Sequence, residues 1–247
     1  MKIYQKDKRD DIQILRAIAV LLVVFYHANL YFTGGFFGVD LFFVISGFVV
    51  SKSIWDDLES HNFTFRNFYL KRFNRLFPSL TIMLIFVLGL TIFSNDYFGF
   101  VQNTTKTAIA SLTGFSNFAI YGISRNYFAQ VSSQNPLLHT WSLAVEIQFY
   151  FLLPIILLFL YKFKIRKEKI TYLIVFFIAI SISLRLFIDF DKQIQFLMLP
   201  FRMWEFAIGI LAFFVNISSR INLKLTNKVF WFIIIYHYKL IGCLIHF

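Results

Sequence analysis

A histidine and an arginine stand eleven residues apart in the first long apolar stretch of this 247-residue chain, and an aspartate opens the second. The first stretch, Ile12–Phe32, holds Arg16 and His27. The second contains GVDLFFVISGF (Gly38–Phe48), with Asp40 and Ser46. On a helix, eleven residues return to within about 20° of one face and span roughly 16 Å along the axis. Ionisable side chains in hydrocarbon are costly and mark functional positions by default. An imidazole titrates near neutrality, so His27 beside an orienting carboxylate is suited to act as a general base. Burial lowers its pKa and a nearby carboxylate raises it, so the two effects oppose.

The elements that must position these groups are membrane helices. Hydrophobic residues make up 58% of the chain and charged residues 15%, and Phe alone counts 35. A soluble domain would carry about a quarter charged residues, and mean hydropathy here is +0.68. The composition predicts an all-α, polytopic transmembrane bundle forming one membrane-embedded domain over residues 1–247. The first stretch is too long for a signal-peptide core and has no small-residue cleavage site, so it reads as a retained span. The single Cys243 excludes an internal disulfide framework. The net charge of +11 falls in short loops between spans, which argues against nucleic acid as a partner.

Seven apolar segments read as spans: Ile12–Phe32, Phe36–Ile54, Leu76–Ser94, Leu143–Tyr161, Ile170–Ile188, Ile194–Val215 and Val229–Ile245. An eighth, Thr107–Ile123, is short and interrupted by polar residues. With seven crossings and a cytoplasmic N-terminus, 17 Lys and Arg residues lie inside, against Lys106, Arg125 and Lys192 outside. Letting Thr107–Ile123 cross leaves 11 inside and 9 outside, so it is predicted to be re-entrant or interfacial. In this topology the first hairpin turns at Gly34–Gly35, which sets His27 and Asp40 at similar depth in the outer half of the membrane. Glu146 joins that layer. Arg202 and Glu205, three apart, are neighbours near mid-membrane. Arg16, Arg72 and Arg75 fall at the inner surface.

These residues carry a family resemblance. The R-x10-H of Arg16–His27 followed by GVDLFFVISGF resembles the opening of the bacterial membrane acyltransferase-3 family, which O-acylates cell-surface glycans. KRFNRLFP (Lys71–Pro78) looks like its R-x-x-R-x-x-P element. HTWSLAVEIQFY (His139–Tyr150) and FRMWEFAIG (Phe201–Gly209) look like its later blocks, with His139, Trp141, Ser142, Arg202 and Glu205 as motif residues. The resemblance implies acyl-CoA, usually acetyl-CoA, as donor substrate rather than a resident cofactor. It implies a hydroxyl acceptor on a polysaccharide or lipid-linked glycan, and a multi-pass location in the bacterial inner membrane. Acyl transfer to a sugar hydroxyl needs a base, for which His27 is the candidate, with Asp40 and Glu146 as acidic partners. Arg16, Arg72 and Arg75 suit the phosphates of CoA, because guanidinium pairs with phosphate bidentately. A pantetheine arm is of the same order as the roughly 16 Å from Arg16 to His27.

Plainer readings stand beside these. His27 fits a hydrogen-bonded structural role, and Asp40 an N-terminal cap of its helix. Arg72 and Arg75 fit positive-inside anchors. Glu146 and Glu205 fit partners of Arg202 or Arg185, and Ser46 beside Gly47 fits close helix packing. His61, His237 and His246 show no ligand spacing, so no metal site is expected. A transporter with an intramembrane polar pathway is the alternative of another class. A truncated, inactive copy is a third reading, since the resemblance implies a longer bundle and the last segment places His237 and Lys239 near mid-membrane.

Overall fold

The computed structural model describes residues 10–28, 35, 37–93, 98–125, 135–188 and 190–218. Within them the chain is helical, without a strand: α1 (Asp10–His27), α2 (Phe37–Glu59), α3 (Phe65–Phe93), α4 (Phe98–Thr113), α5 (Ser116–Ser124), α6 (Thr140–Lys162), α7 (Lys167–Phe187), α8 (Lys192–Leu197) and α9 (Leu199–Ser218). Among the described residues five segments are long and apolar enough to cross a bilayer: α2, α3, α6, α7 and the α8–α9 pair. The helix α1 covers most of the expected first span, whose end falls outside the described residues, as do Gly34 and the expected seventh span, Val229–Ile245.

The helices differ from the apolar segments in ways that matter for the site. The expected third span begins at Leu76, but α3 starts eleven residues earlier, at Phe65. Lys71–Pro78 is therefore helical, and Arg72 and Arg75 lie one turn apart on one face of α3 rather than in a loop. Thr107–Ile123 is split into α4 and α5 at Gly114, whose φ of +77° a side chain would disfavour. There the Phe115 amide donates to the Ala110 carbonyl and the Gly114 amide to Ser111, closing α4 with a Schellman turn. The sixth span is also divided. Met198 is extended, and Pro200 in the first turn of α9 cannot continue the α8 hydrogen-bond ladder.

Burial shows which helices are central. Two-thirds of the α8–α9 span and half of the α2 span are buried, against 17% in α3 and in α7. The core is aromatic: Phe206 stacks between Phe43 of α2 and Phe149 of α6. Helices α2 and α9 run parallel and touch through their backbones. A Cβ added at Gly47 would strike the Phe206 carbonyl, and one at Gly209 the Val44 carbonyl. Small residues such as Gly47 and Gly209 let membrane helices approach this closely.

Candidate active site

Two polar centres lie in this bundle. The first gathers Ser46 (α2), Arg72 and Arg75 (α3), Glu146 and Tyr150 (α6), and Arg16 (α1). Ser46 Oγ donates to Glu146 Oε1 at 2.7 Å, and the Tyr150 hydroxyl donates to the same oxygen. Glu146 is 3% exposed, so its charge depends on these donors and on cations nearby. Those cations are present. The Arg72 guanidinium lies over the rings of Phe68 and Tyr150, 5.5 and 5.3 Å from their centroids. Arg16 lies within electrostatic range of Arg75, Tyr150, Glu146 and Arg72. It is buried, yet its Nε and Nη2 have no hydrogen-bond partner among the described residues. Arg16 and Arg72 thus both lie within range of one carboxylate, with Arg75 near both of them, and the buried Arg16 guanidinium still has donors to spend.

The second centre is built on Arg202. Its Nη1 reaches Asp40 Oδ1 at 2.9 Å and Glu205 Oε1 at 2.7 Å, and its Nε donates to the Phe196 carbonyl at 3.1 Å. The guanidinium also sits against Trp141 and Phe196, 5.4 and 4.8 Å from the ring centroids. Arg185 of α7 is within electrostatic range of all three charged members. Among the plainer readings, the pairing of Glu205 with Arg202 is the geometry found. Glu146, in contrast, belongs to the first centre.

The expected equal depth of His27 and Asp40 does not hold. Gly35 is already packed against Leu22 and Tyr26, and Gly38 against Ala19 and Val23. The returning chain has therefore come back alongside α1 before α2 begins. Asp40 is about level with Ala19, some eight residues, or about 12 Å, deeper than His27. Its carboxylate is held by Arg202. His27 is exposed at the end of α1, where Nδ1 donates to the Val23 carbonyl at 2.9 Å and the ring meets Tyr26 edge-on. That bond assigns the proton to Nδ1 and leaves Nε2 as the acceptor.

His139, which precedes the first turn of α6, lies within electrostatic range of His27. Burial lowers the pKa of its imidazole, and the neighbouring His27 acts in the same direction, against a hydrogen bond to the Pro136 carbonyl. Ser142 Oγ donates to the His139 carbonyl at 3.1 Å, an intrahelical contact. Thr140, which the sequence reading passed over, anchors this segment. Its hydroxyl donates to the Leu137 carbonyl and accepts from Ser111 of α4, and its carbonyl accepts from Ser116 of α5. The broken α4–α5 pair is therefore the support on which the His139–Ser142 turn rests. Tyr150 was also missed as a functional position, although its four-residue spacing from Glu146 on an apolar helix was a usable signal. Among the described residues no three His, Cys, Asp or Glu side chains are grouped to hold a metal ion.

Residues 9–246 match the acyltransferase domain of the acyltransferase 3 family. The chain is 34% identical over 153 residues to the peptidoglycan O-acetyltransferase OatA of Listeria monocytogenes, an alignment covering 61% of this chain and 24% of that protein. It is 38% identical over 120 residues to an uncharacterized protein of Haemophilus influenzae, covering 48% of this chain and 47% of the relative. The chain thus spans less than half the length of these curated relatives. No solved structure matches it. With four motif blocks, an apolar helix bundle and a match over nearly its whole length, the chain belongs to the acyltransferase 3 family.

Proposed function

We propose that this chain is a membrane O-acyltransferase that moves an acyl group, most simply acetyl, from acyl-CoA to a hydroxyl of a cell-envelope glycan. The observation that carries this reading is the cluster of Arg16, Arg72 and Arg75 with one carboxylate, Glu146, in range of Arg16 and Arg72, and donors of the buried Arg16 left without a partner among the described residues. An excess of guanidinium charge around the buried Arg16 calls for an anion, and the phosphates of CoA supply one in bidentate geometry. The thioester arm would then extend along α1 toward His27. In the transfer, His27 Nε2 takes the proton of the acceptor hydroxyl as its oxygen bonds to the thioester carbon. The carbon–sulfur bond breaks, and the imidazolium returns the proton to the leaving thiolate, so no charge is left on the enzyme.

This reading has the donor entering from the face nearer the arginines and the acceptor from the face where His27 is exposed, the cytoplasmic and outer faces in the inner-membrane topology. The named function of the Listeria relative, peptidoglycan O-acetylation, favours a wall or surface glycan as acceptor class. Purified membranes carrying the chain, supplied with radiolabelled acetyl-CoA and muropeptide or polysaccharide acceptors, should yield base-labile labelled glycan. Glycan label no higher than in membranes lacking the chain would overturn the proposal, and solute flux in proteoliposomes without acylation would favour the transporter reading instead.

A further inference from the structure

The hairpin joining α6 to α7 forms a cavity of about 620 Å³, lined by Phe163, Lys164, Ile165, Arg166, Lys169, Tyr172, Leu173 and Phe176. None of these residues belongs to either polar centre. Helix α6 ends in a turn that places Lys164 in left-handed backbone, φ +50°, with its amide bonded to Tyr161 and that of Ile165 to Leu160. This fixes Lys164 beside Arg166 and Lys169. The adjacent Lys167 points elsewhere, reaching Glu59 at 2.9 Å and lying over Trp55 at 5.7 Å, where it ties α7 to α2. Acid in the loop is limited to Glu168, paired with Arg166 at 3.3 Å. Below the cations the wall is apolar and open: Phe163, Tyr172 and Phe176 are each at least 60% exposed.

Because α6 and α7 both span the bilayer, their connecting turn lies at a membrane surface. Cations sit at the level of lipid headgroups there, and the aromatic wall runs from them toward the acyl chains. We infer that this cavity is a binding site for one anionic phospholipid, its headgroup phosphate held by Lys164, Arg166 and Lys169 and an acyl chain laid along Tyr172 and Phe176. A soluble phosphate compound would satisfy the cations and leave the apolar wall unused. A neutral lipid would do the reverse. The site is independent of the acyl-transfer reading.

The test is native mass spectrometry of the full chain released from detergent after incubation with equal amounts of phosphatidylglycerol and phosphatidylcholine. The unmodified chain should retain phosphatidylglycerol preferentially, by on the order of a hundredfold if all three cations act at the surface. K164Q/R166Q/K169Q should bring retention near parity, and Y172A/F176A should weaken retention of both lipids. K52Q/R66Q/K71Q, which removes as many charges from the same membrane face, should keep the preference. Millimolar inorganic phosphate or coenzyme A should not displace the lipid. Parity in the unmodified chain, equal loss in both charge-removal variants, or displacement by either soluble compound would overturn the assignment.

Discussion

Ser46 and Glu146, a hundred positions apart in the chain, share a 2.7 Å hydrogen bond across the seam between α2 and α6. The same Glu146 oxygen accepts from Tyr150, so one carboxylate joins two helices and also faces the arginines of α1 and α3. Its two roles separate under substitution. Glu146→Gln keeps the side chain's shape but removes the charge that offsets Arg16 and Arg72. Two buried hydroxyls then lose a charged acceptor, at a cost of about 1–3 kcal/mol in stability. The positive field at the donor site grows, so the Michaelis constant for acyl-CoA should stay level or fall while turnover drops. Steady-state kinetics with thermal unfolding in detergent measures both. A raised Michaelis constant at unchanged turnover would mean that Glu146 contacts the donor instead.

The base and the donor clamp should likewise separate. His27→Ala should lower transfer by roughly 10²–10⁴-fold, the usual range for a general base. Donor binding should persist. Arg72→Ala and Arg75→Ala should chiefly raise the acyl-CoA requirement, with turnover at saturation less affected. Binding of acyl-CoA measured by calorimetry distinguishes the two classes. Near-normal turnover in His27→Ala would remove the base assignment.

Much of this arrangement was legible in the sequence. Periodicity cannot see a tertiary pair, but the cost of burying charge identified Arg16, Asp40, Glu146, Arg202 and Glu205 as positions needing partners. The spacing of Arg202 and Glu205 predicted their contact. What failed was depth: counting residues from an assumed turn at Gly34–Gly35 took the connection as symmetric, whereas Gly35 is already packed against Leu22. The start of α3 was also hidden, because hydropathy falls where Arg66, Lys71, Arg72 and Arg75 begin although helix formation does not require apolar residues. Thr140 carried no signal, since its importance lies in contacts to Ser111 and Ser116 on separate helices.

Thr140 gives a prediction through its neighbour. Thr140→Val removes the hydroxyl bonds to Leu137 and Ser111 and should loosen the turn bearing His139, whereas Thr140→Ser should restore it. The pH dependence has a definite sign. Burial lowers the His139 pKa below its unfolded value. The unfolded chain therefore takes up the proton first as pH falls. Stability from the neutral imidazole is present above the ordinary histidine pKa of about 6.5 and is lost on acidification toward the folded value. Thermal unfolding between pH 5 and 8 should show a smaller acid-side loss in His139→Gln than in the unmodified chain. Identical slopes would show that His139 does not contribute.

The last prediction concerns Asp40, whose carboxylate the sequence offered to His27 and the structure gives to Arg202. Arg202 is 4% exposed and Glu205 fully buried, so this centre cannot fall back on water when a member is lost. Removing one partner of a buried ion pair typically costs about 3–5 kcal/mol, because the remaining charge stays buried. Arg202→Met leaves two carboxylates facing one another and should be the most destabilising change. Asp40→Asn retains an amide oxygen for Arg202 and leaves Glu205 to balance the charge, so it should cost less. Arg202→Lys should not rescue the site, since a single ammonium cannot reach Asp40, Glu205 and the Phe196 carbonyl while lying against two rings. If Asp40 served His27, Asp40→Asn would instead shift the pH profile of transfer with little change in melting temperature. Melting curves and pH–rate profiles for the three variants decide between these roles. The expected pattern is a graded loss of stability, Arg202→Met worst, with the profile of surviving Asp40→Asn activity unmoved.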